Sequence, residues 1–284
     1  MKLIINRTDV ISYEDVCNSL EYKGWRIAIP SYKRENTLKN KTLSMLMRNN
    51  IDPSKIDIFV ADEQEKEKYQ RTLKSGTYGR IIVGEVGMMA IRNYIQSFYD
   101  EGQRVVCLDD DLNDIVSIDR KQHWKKVEKL SSLFDYIFSI CDESGARYWG
   151  IYAAANNFFM SRTIGLGLYY IIGSCWGMVV SHEKSLYVTM DDKEDFERSV
   201  RAYRRFGRVA RMNFITVKSN YYGEEGGMQV ERTEERVESS GRKLMAMFPD
   251  NVVRNTARKK HFEVKLVEKR ERFKALAKFK LNMI

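Results

Sequence analysis

Short apolar runs alternate with helix-like segments along the first 110 residues of this 284-residue chain. The apolar runs lie at residues 25–30, 56–61, 80–83 and 104–108, and the segments 37–49, 66–74 and 88–99 between them have a helical pattern. Strands and helices that alternate in this way predict a parallel sheet with helices on both faces. We therefore expect an α/β fold.

A polar or glycine-containing segment follows each predicted strand, at residues 30–34, 61–63, 84–87 and 109–111. Because ligands of parallel sheets bind outside the carboxyl ends of the strands, we expect one site at that edge. Arg34, Arg92 and Asn93 lie just beyond these ends, where a guanidinium can bind phosphate or carboxylate through two hydrogen bonds. The alternative for Arg92 is an exposed helix residue. Neither a dinucleotide-type glycine motif nor a P-loop follows the first strand, so phosphate would have to be held by metal and arginine.

The triplet Asp109-Asp110-Asp111 directly follows the fourth predicted strand. Adjacent carboxylates repel one another unless a positive group lies among them. Mg²⁺ and Mn²⁺ take oxygen ligands and are commonly shared between one or two carboxylates and the phosphates of a substrate. The triplet therefore predicts a divalent metal that holds phosphate, and the alternative is a solvated acidic turn.

The composition indicates a globular protein, since 43% of the residues are hydrophobic. No stretch approaches the roughly 20 apolar residues of a membrane span, and the apolar run at residues 3–5 is too short for a signal peptide. We expect a cytoplasmic protein with no membrane association and no obligate protein partner. The four cysteines, Cys17, Cys107, Cys141 and Cys175, form no CxxC pair and indicate reduced core residues.

The positive charge is concentrated at the C-terminal end of the sequence. Residues 251–284 carry eleven Lys and Arg against three Glu, which is +8 of the net charge of +9. A basic segment with interspersed Phe262, Phe273 and Phe279 could follow a phosphate backbone. The alternative is a pair of amphipathic helices that pack on the core and expose their lysines. In both cases we expect residues 251–284 to form a basic helical segment appended to residues 1–250.

Residues 27–34, 60–63, 89–93 and 107–111, in that order, resemble the nucleotide-sugar half of GT-A fold glycosyltransferases. The resemblance implies a GT-A domain over residues 1–250, with a nucleotide-sugar half at about 24–115 and a smaller acceptor half at 116–250. It also implies a divalent metal, Mn²⁺ or Mg²⁺, and a nucleotide-sugar donor, with a UDP-sugar as the expected one.

The same resemblance assigns roles to the acids at the strand ends. Asp111 would be the principal metal ligand, and Asp109 would assist at the metal or the ribose. The register of the acid pair within the triplet stays open, so Asp110 is counted among the donor residues. Asp62 would contact the base or ribose, and Arg92 would lie near the diphosphate or sugar. The other donor residues implied are Pro30, Ser31, Tyr32, Arg34 and Asn93.

The second half is expected to bind the acceptor and to supply the base. Residues 171–180 have a strand, turn, strand pattern in which Trp176 could stack on a sugar or nucleobase and Gly177 could allow close approach. The alternative for Trp176 is a core aromatic residue. The acids of residues 191–195 suit the N-terminus of a following helix, yet Glu194-Asp195 also resembles the family's acid pair. The resemblance implies Asp195 as the general base of an inverting enzyme, with Asp192 as the second candidate.

Two further segments have a predicted role. His261 lies where many GT-A enzymes place a final metal ligand, although a lone histidine among lysines is more often an exposed residue. Residues 221–229 have the glycine content of a mobile lid, or else of a hairpin turn.

Within the GT-A enzymes the chain most resembles the TET-associated phage glycosyltransferases, which attach sugars to hydroxymethylated pyrimidines in DNA. The shared motifs span about residues 24–200. The resemblance implies DNA as a partner, extrusion of the target nucleotide, and the host cytoplasm as the location. Three alternatives stay open: a glycosyltransferase with a glycan or small-molecule acceptor, a non-enzymatic nucleic-acid-binding protein, and a nucleotidyltransferase that uses two metals on the same acids.

Overall fold

A computed structural model describes residues 24–127, 129–218, 233–257 and 262–268, and the backbone of 279–280. The helices are α1 (Glu35–Leu38), α2 (Ser44–Arg48), α3 (Glu63–Thr72), α4 (Met88–Phe98), α5 (Leu130–Ser144), α6 (Glu194–Phe206) and α7 (Glu234–Met247). A π-helical stretch, Lys39–Leu43, joins α1 to α2, and short 3₁₀ turns occur at Pro53–Lys55, Asn157–Phe159 and Lys184–Leu186.

Nine of the strands form one central sheet. The first seven strands in the chain are β1 (Trp25–Pro30), β2 (Ile56–Val60), β3 (Arg80–Val83), β4 (Arg104–Leu108), β5 (Asp114–Ile118), β6 (Trp124–Lys126) and β7 (Tyr148–Ile151). The others are β8 (Thr163–Gly167), β9 (Cys175–Val179), β10 (Val209–Met212), β11 (Ile215–Lys218), β12 (Val252–Arg254), β13 (Val264–Leu266) and β14 (Phe279–Lys280). The order in the large sheet is β14-β8-β10-β7-β9-β4-β1-β2-β3.

The four strands predicted from the sequence form the parallel end of this sheet. Strands β3, β2, β1 and β4 run in the same direction, while β9 pairs with β4 in the antiparallel direction. The carboxyl ends of the four strands therefore lie at one edge, which confirms the α/β fold and the predicted position of their following loops. The sheet continues without a break into β9, β7 and β10, so the two halves expected from the sequence share it.

Both faces of the sheet are covered. Along β1, the side chains of Ile27 and Ile29 pack into a cluster with α1, α2, α3 and α5, whereas Ala28 packs on the other face with α4 and α6. This alternation is the two-residue period of a strand buried on both faces. Three of the four cysteines, Cys107, Cys141 and Cys175, are buried free thiols, as predicted.

The C-terminal segment differs from its prediction where it is described. Residues 252–254 and 264–266 form β12 and β13, an antiparallel pair, instead of the expected helix. Val264 and Phe262 pack with Leu244 of α7. A short apolar segment in an extended conformation can therefore bury its side chains against a helix. Across the part of the chain described here, none of the helices combines the length and apolarity that a membrane crossing requires.

Candidate active site

The loop after β1 is connected directly to the acid triplet. Ser31 Oγ donates to Asp110 Oδ2 at 2.6 Å, and the Tyr69 hydroxyl lies 2.7 Å from Ser31 Oγ. A serine hydroxyl has one hydrogen, so Tyr69 is the donor to Ser31. Arg34 Nη1 lies 3.3 Å from Asp110 Oδ1 and 3.5 Å from Asp111 Oδ2. The first and fourth strand ends therefore meet, as the sequence predicted.

Asp110 is the buried member of the triplet. Burial raises the pKa of Asp110 to about 6, even though Ser31 and Arg34 favour its ionised form. The side chains of Asp109 and Asp111 are 36% and 20% exposed, so these two are the carboxylates available to a ligand at the edge of the sheet. Asp110 consequently holds the loop after β1 in position through its buried contacts with Ser31 and Arg34.

Thr42 fixes the backbone of the triplet. Its hydroxyl donates to the carbonyl of Asp109 at 2.7 Å and accepts the backbone N–H of Leu112 at 3.0 Å. The backbone N–H of Asp109 donates to the carbonyl of Ser174 at 3.0 Å. Thr42 lies in the π-helical stretch, and π-helical turns are frequent at functional sites.

Arg92 joins the triplet to the acid pair of α6. Its Nη2 lies 3.0 Å from Asp109 Oδ1 and 3.2 Å from the carbonyl of Gly173, and its Nε lies 3.5 Å from Glu194 Oε1. The side chain is 3% exposed, and Nη1 has no hydrogen-bond partner among the described residues. A buried guanidinium between two carboxylates holds two distant segments of the chain in one geometry.

Glu194 is enclosed by two arginines. Arg198 Nη1 lies 2.5 Å from Glu194 Oε2, and Arg92 approaches the other oxygen. Burial raises the pKa of Glu194, while Arg198 and Arg92 lower it. Arg198 also lies 3.8 Å from the centre of the Trp176 ring. Glu194 is therefore a structural anion, because both of its oxygens face cations.

The neighbouring acids have different partners. Asp192 accepts a hydrogen bond from Arg236 of α7, and Asp191 Oδ1 accepts the backbone N–H of Met89 at 2.9 Å. Asp195 accepts a hydrogen bond from the Tyr170 hydroxyl. Within residues 24–127, 129–218, 233–257 and 262–268, no ion pair with Lys or Arg is formed by Asp195. Of the three candidate bases, Asp195 is thus the one whose charge no cation neutralises there.

The start of α4 requires a glycine. Gly87 has φ of 102°, which L side chains rarely adopt, and a Cβ there would lie 3.3 Å from Asp191 Oδ1. The conformation lets Asp191 cap the helix that carries Arg92 and Asn93. Asn93 bonds both backbone groups of Val188, at 2.8 and 2.9 Å, so its amide fixes the segment before α6.

The remaining residues that the sequence predicted for the donor lie at the same edge. Asp62 is exposed and caps α3 by accepting the N–H of Glu65 at 2.8 Å. Tyr32 is an exposed aromatic residue, and Pro30 ends β1. The side chains of Asp62 and Tyr32 are therefore accessible to a nucleoside.

The sequence predicted that Trp176 and Gly177 contact an acceptor, but in the structure both residues are buried. Trp176 is 2% exposed and stacks on Tyr148, with ring centres 6.0 Å apart and planes at 5°. A Cβ on Gly177 would lie 2.4 Å from the Trp149 indole, so this glycine makes room for a ring inside the protein. Of residues 171–180 only 175–179 form a strand, and that strand is in the middle of the sheet, where its side chains pack against helices instead of facing a ligand.

The predicted metal site is incomplete within the described ranges. These contain no group of three His, Cys, Asp or Glu side chains that could hold a metal ion. His261 and residues 221–229 lie outside the described residues. Asp109 and Asp111 are partly exposed carboxylates, which is the ligand type that Mg²⁺ and Mn²⁺ prefer, and the donor phosphates and water commonly complete such a sphere. The residues present fit a divalent ion shared with a diphosphate.

Sequence reasoning missed four residues of this network: Tyr69, Thr42, Tyr170 and Arg198. Arg198 stands four residues after Glu194 on one helix, and this i, i+4 spacing was a signal that could have identified it. No local pattern marks the other three, whose partners lie 25 or more residues away in the chain.

The central sheet, with its parallel end and its helices on both faces, is a GT-A type fold. The crystal structure of glucosyl-3-phosphoglycerate synthase from Mycobacterium tuberculosis, in complex with Mn²⁺, UDP and glucosyl-3-phosphoglycerate, matches with a TM-score of 0.50 and 9% sequence identity, over 86% of this chain and 88% of that one. At this identity the likeness concerns the fold alone.

Two crystal structures of S. aureus TarS are also similar. The structure of TarS residues 1–349 matches at 14% identity with a TM-score of 0.48, over 78% of this chain and 64% of that one. A longer TarS structure matches at 14% identity with a TM-score of 0.48, over 79% of this chain and 39% of that one. The present chain therefore spans less than two thirds of either TarS structure. No family model and no curated protein matches the sequence.

Proposed function

We propose that this protein is a metal-dependent glycosyltransferase that moves a sugar from a nucleotide sugar to a hydroxyl group. The observation that carries the proposal is the contact of Arg92 with both Asp109 and Glu194. It places the acids after β4 and the acid pair of α6 at one site, and this is where a donor and a base have to meet. The glucosyl-3-phosphoglycerate synthase structure contains UDP and Mn²⁺, which favours a UDP-sugar and Mn²⁺ here.

Asp111 and Asp109 would hold the divalent ion, which would neutralise charge developing on the departing diphosphate. Arg34, beside Asp110 and Asp111, adds a fixed positive charge near the same place. Asp62 and Tyr32 are the accessible groups for the nucleoside. Positioned charges of this kind act mainly on the transition state, because they are already oriented before the reaction.

Asp195 is the proposed base. In an inverting reaction its carboxylate takes the proton of the acceptor hydroxyl while that oxygen attacks the sugar carbon and the diphosphate departs. Tyr170 donates to Oδ2 of this carboxylate and the backbone N–H of Phe196 donates to Oδ1 at 2.9 Å, so the two contacts fix its orientation. Asp192 is a weaker candidate because Arg236 binds it, and Glu194 is enclosed by Arg92 and Arg198.

The finer proposal for the acceptor is a hydroxymethylated pyrimidine in DNA. It rests on the resemblance of the sequence and on the basic C-terminal segment, most of which lies outside the described residues. A glycan or small-molecule acceptor is the alternative.

The test is a screen of nucleotide sugars with Mn²⁺, with and without hydroxymethylcytosine DNA. Released nucleotide and the mass of the DNA are the two readouts. We expect a UDP-sugar to be consumed, and consumption to be lost in Asp111→Asn but kept in Asp100→Asn, whose exposed side chain lies before β4 at the other edge of the sheet. If no donor is hydrolysed or transferred with any acceptor, the proposal is wrong. If the protein turns over with glycans and not with DNA, the glycosyltransferase proposal stands and the proposal of a DNA acceptor is wrong.

A further inference from the structure

An exposed aromatic and basic surface is formed by segments that follow β5 and β7. We define it as the aromatic-basic face, formed by Lys121, Trp124, Lys126, Phe158 and Phe159. Phe158 is 79% exposed, Phe159 is 64% exposed and Trp124 is 37% exposed. Apolar rings gathered at one exposed place, among charges, are typical of interaction sites.

Direct contacts hold the two parts of this face together. Asn157 Nδ2 donates to the carbonyl of Gln122 at 2.7 Å, which joins the turn that carries Phe158 and Phe159 to the turn before β6. The side chain of Asn156 accepts the N–H of Phe158 at 3.1 Å and fixes that turn. The aromatic rings are thus presented to solvent by a braced backbone.

The charge of the face has one sign. Residues 120–126 contain four Lys and Arg and no acid. Asp119, just before this stretch, accepts the backbone N–H groups of Lys121 and His123 on Oδ1, at 2.7 and 2.9 Å, and its Oδ2 lies 3.4 Å from His123 Nδ1. Lys218 of β11 lies 5.5 Å from the centre of the Trp124 ring and adds a further positive charge.

The sheet places the face at the edge that carries the acids. Strands β4 and β7 are both antiparallel to β9, so β4 and β7 run in the same direction. The triplet follows β4, and the segment with Phe158 and Phe159 follows β7. Strand β5, which pairs with β6, begins three residues after Asp111.

We infer that the aromatic-basic face binds a nucleic-acid strand with unstacked bases, with its lysines on the phosphates and its aromatic rings on the bases. Aromatic side chains beside a positive groove are the general means of binding single strands, because every base has a face on which a ring can stack. A base must leave the duplex before its atoms can reach an enzyme, and its neighbours are then exposed for stacking. The inference deepens the proposed function and rests on it for the role of the strand as acceptor.

The test uses fluorescence anisotropy of the full chain with a labelled single-stranded DNA of about 16 nucleotides, with and without hydroxymethylcytosine. In Phe158→Ala/Phe159→Ala we expect Kd to rise by about tenfold or more, with an unchanged dependence on salt. In Lys121→Gln/Lys126→Gln we expect the slope of log K against log salt to fall by about 1.4. The matched control Lys74→Gln/Lys184→Gln removes two exposed lysines far from the face and should retain the wild-type Kd.

Heparin and vesicles separate the possible partners. Heparin has charge but no bases, so the Phe variant should bind it as the wild type does. The inference is overturned if the Phe variant retains wild-type affinity for DNA, or if it loses affinity for phosphatidylserine vesicles while keeping its affinity for DNA. A wild-type protein that binds no DNA also overturns it.

Hydrolysis of the donor in the absence of acceptor separates this inference from the proposed function. If the Phe variant binds DNA normally and still transfers sugar, the aromatic-basic face does not bind the strand, and the proposed enzymatic function stands. If the protein binds DNA through the aromatic-basic face but consumes no donor, the proposed enzymatic function is wrong and the inference about the face stands.

Discussion

Arg92→Met removes the guanidinium that joins the acid triplet to α6 while keeping a side chain of similar length. Arg92 is 3% exposed and lies 3.0 Å from Asp109 and 3.5 Å from Glu194. At an effective dielectric constant of about 20, two unit charges at this separation interact by about 5 kcal/mol. The desolvation of the native arginine offsets part of this, and breaking a buried pair typically costs about 3–5 kcal/mol. We expect a loss of about 3–5 kcal/mol in the free energy of unfolding at about pH 7.5.

The loss should depend on pH. Burial raises the pKa of Glu194, with Arg198 and Arg92 opposing it, so removing Arg92 raises this pKa further. A carboxyl group with a raised folded-state pKa stabilises the fold below its unfolded pKa, and this contribution disappears as the pH rises through the folded pKa. The deficit of the variant should therefore be largest near neutral pH and smaller in acid, as Glu194 takes up a proton.

Urea unfolding at the two pH values measures this effect. The matched control is Arg205→Met on α6, whose pair with Glu183 is exposed and should contribute no more than about 1 kcal/mol. A loss below about 1 kcal/mol for Arg92→Met, or an equal loss at both pH values, would show that the bridge does not hold the site together.

Three further changes probe other parts of the structure. Gly177→Ala places a Cβ 2.4 Å from the Trp149 indole, so thermal unfolding should show a loss of about 1–3 kcal/mol, and an unchanged Tm would contradict the packing. For Asp57, burial raises the pKa but hydrogen bonds from two arginines and a tyrosine hold it below its ordinary value. Its stabilising effect is present above the unfolded pKa of about 3.9 and lost as the pH falls through the folded pKa, so Asp57→Asn should lose stability at neutral pH and lose less in acid, as a pH series of urea titrations will test. Tyr170→Phe removes the hydroxyl that orients Asp195 and should lower kcat by about tenfold or more with little change in KM for the donor; equal kcat values would argue against Asp195 as the base.

The local sequence predicted the elements that build the edge of the sheet where the candidate site lies. The four strands and three helical segments before residue 110 are at their predicted places, the first segment as α1, the π-helical stretch and α2, with boundaries that move by a few residues. Apolar runs of strand length and helical periods are local properties of the sequence. The carboxyl ends of parallel strands meet at one edge wherever the strands stand in the sheet, so the proximity of Arg34 to the acid triplet followed from the pattern. The buried position of Trp176 did not follow from the pattern, since the sequence does not reveal that its strand has neighbours on both sides.

By itself, the sequence determined an α/β fold with an acid triplet at the end of its fourth strand. These features depend on residues close together in the chain. Only the tertiary structure decided that Asp110 is buried, that Arg92 reaches Glu194, and that Asp195 faces Tyr170 instead of an arginine. The physical reason is that burial and ion pairing depend on which strands and helices become neighbours. That order results from the packing of the whole sheet, in which β4 lies beside β9 although some 70 residues separate them in the chain.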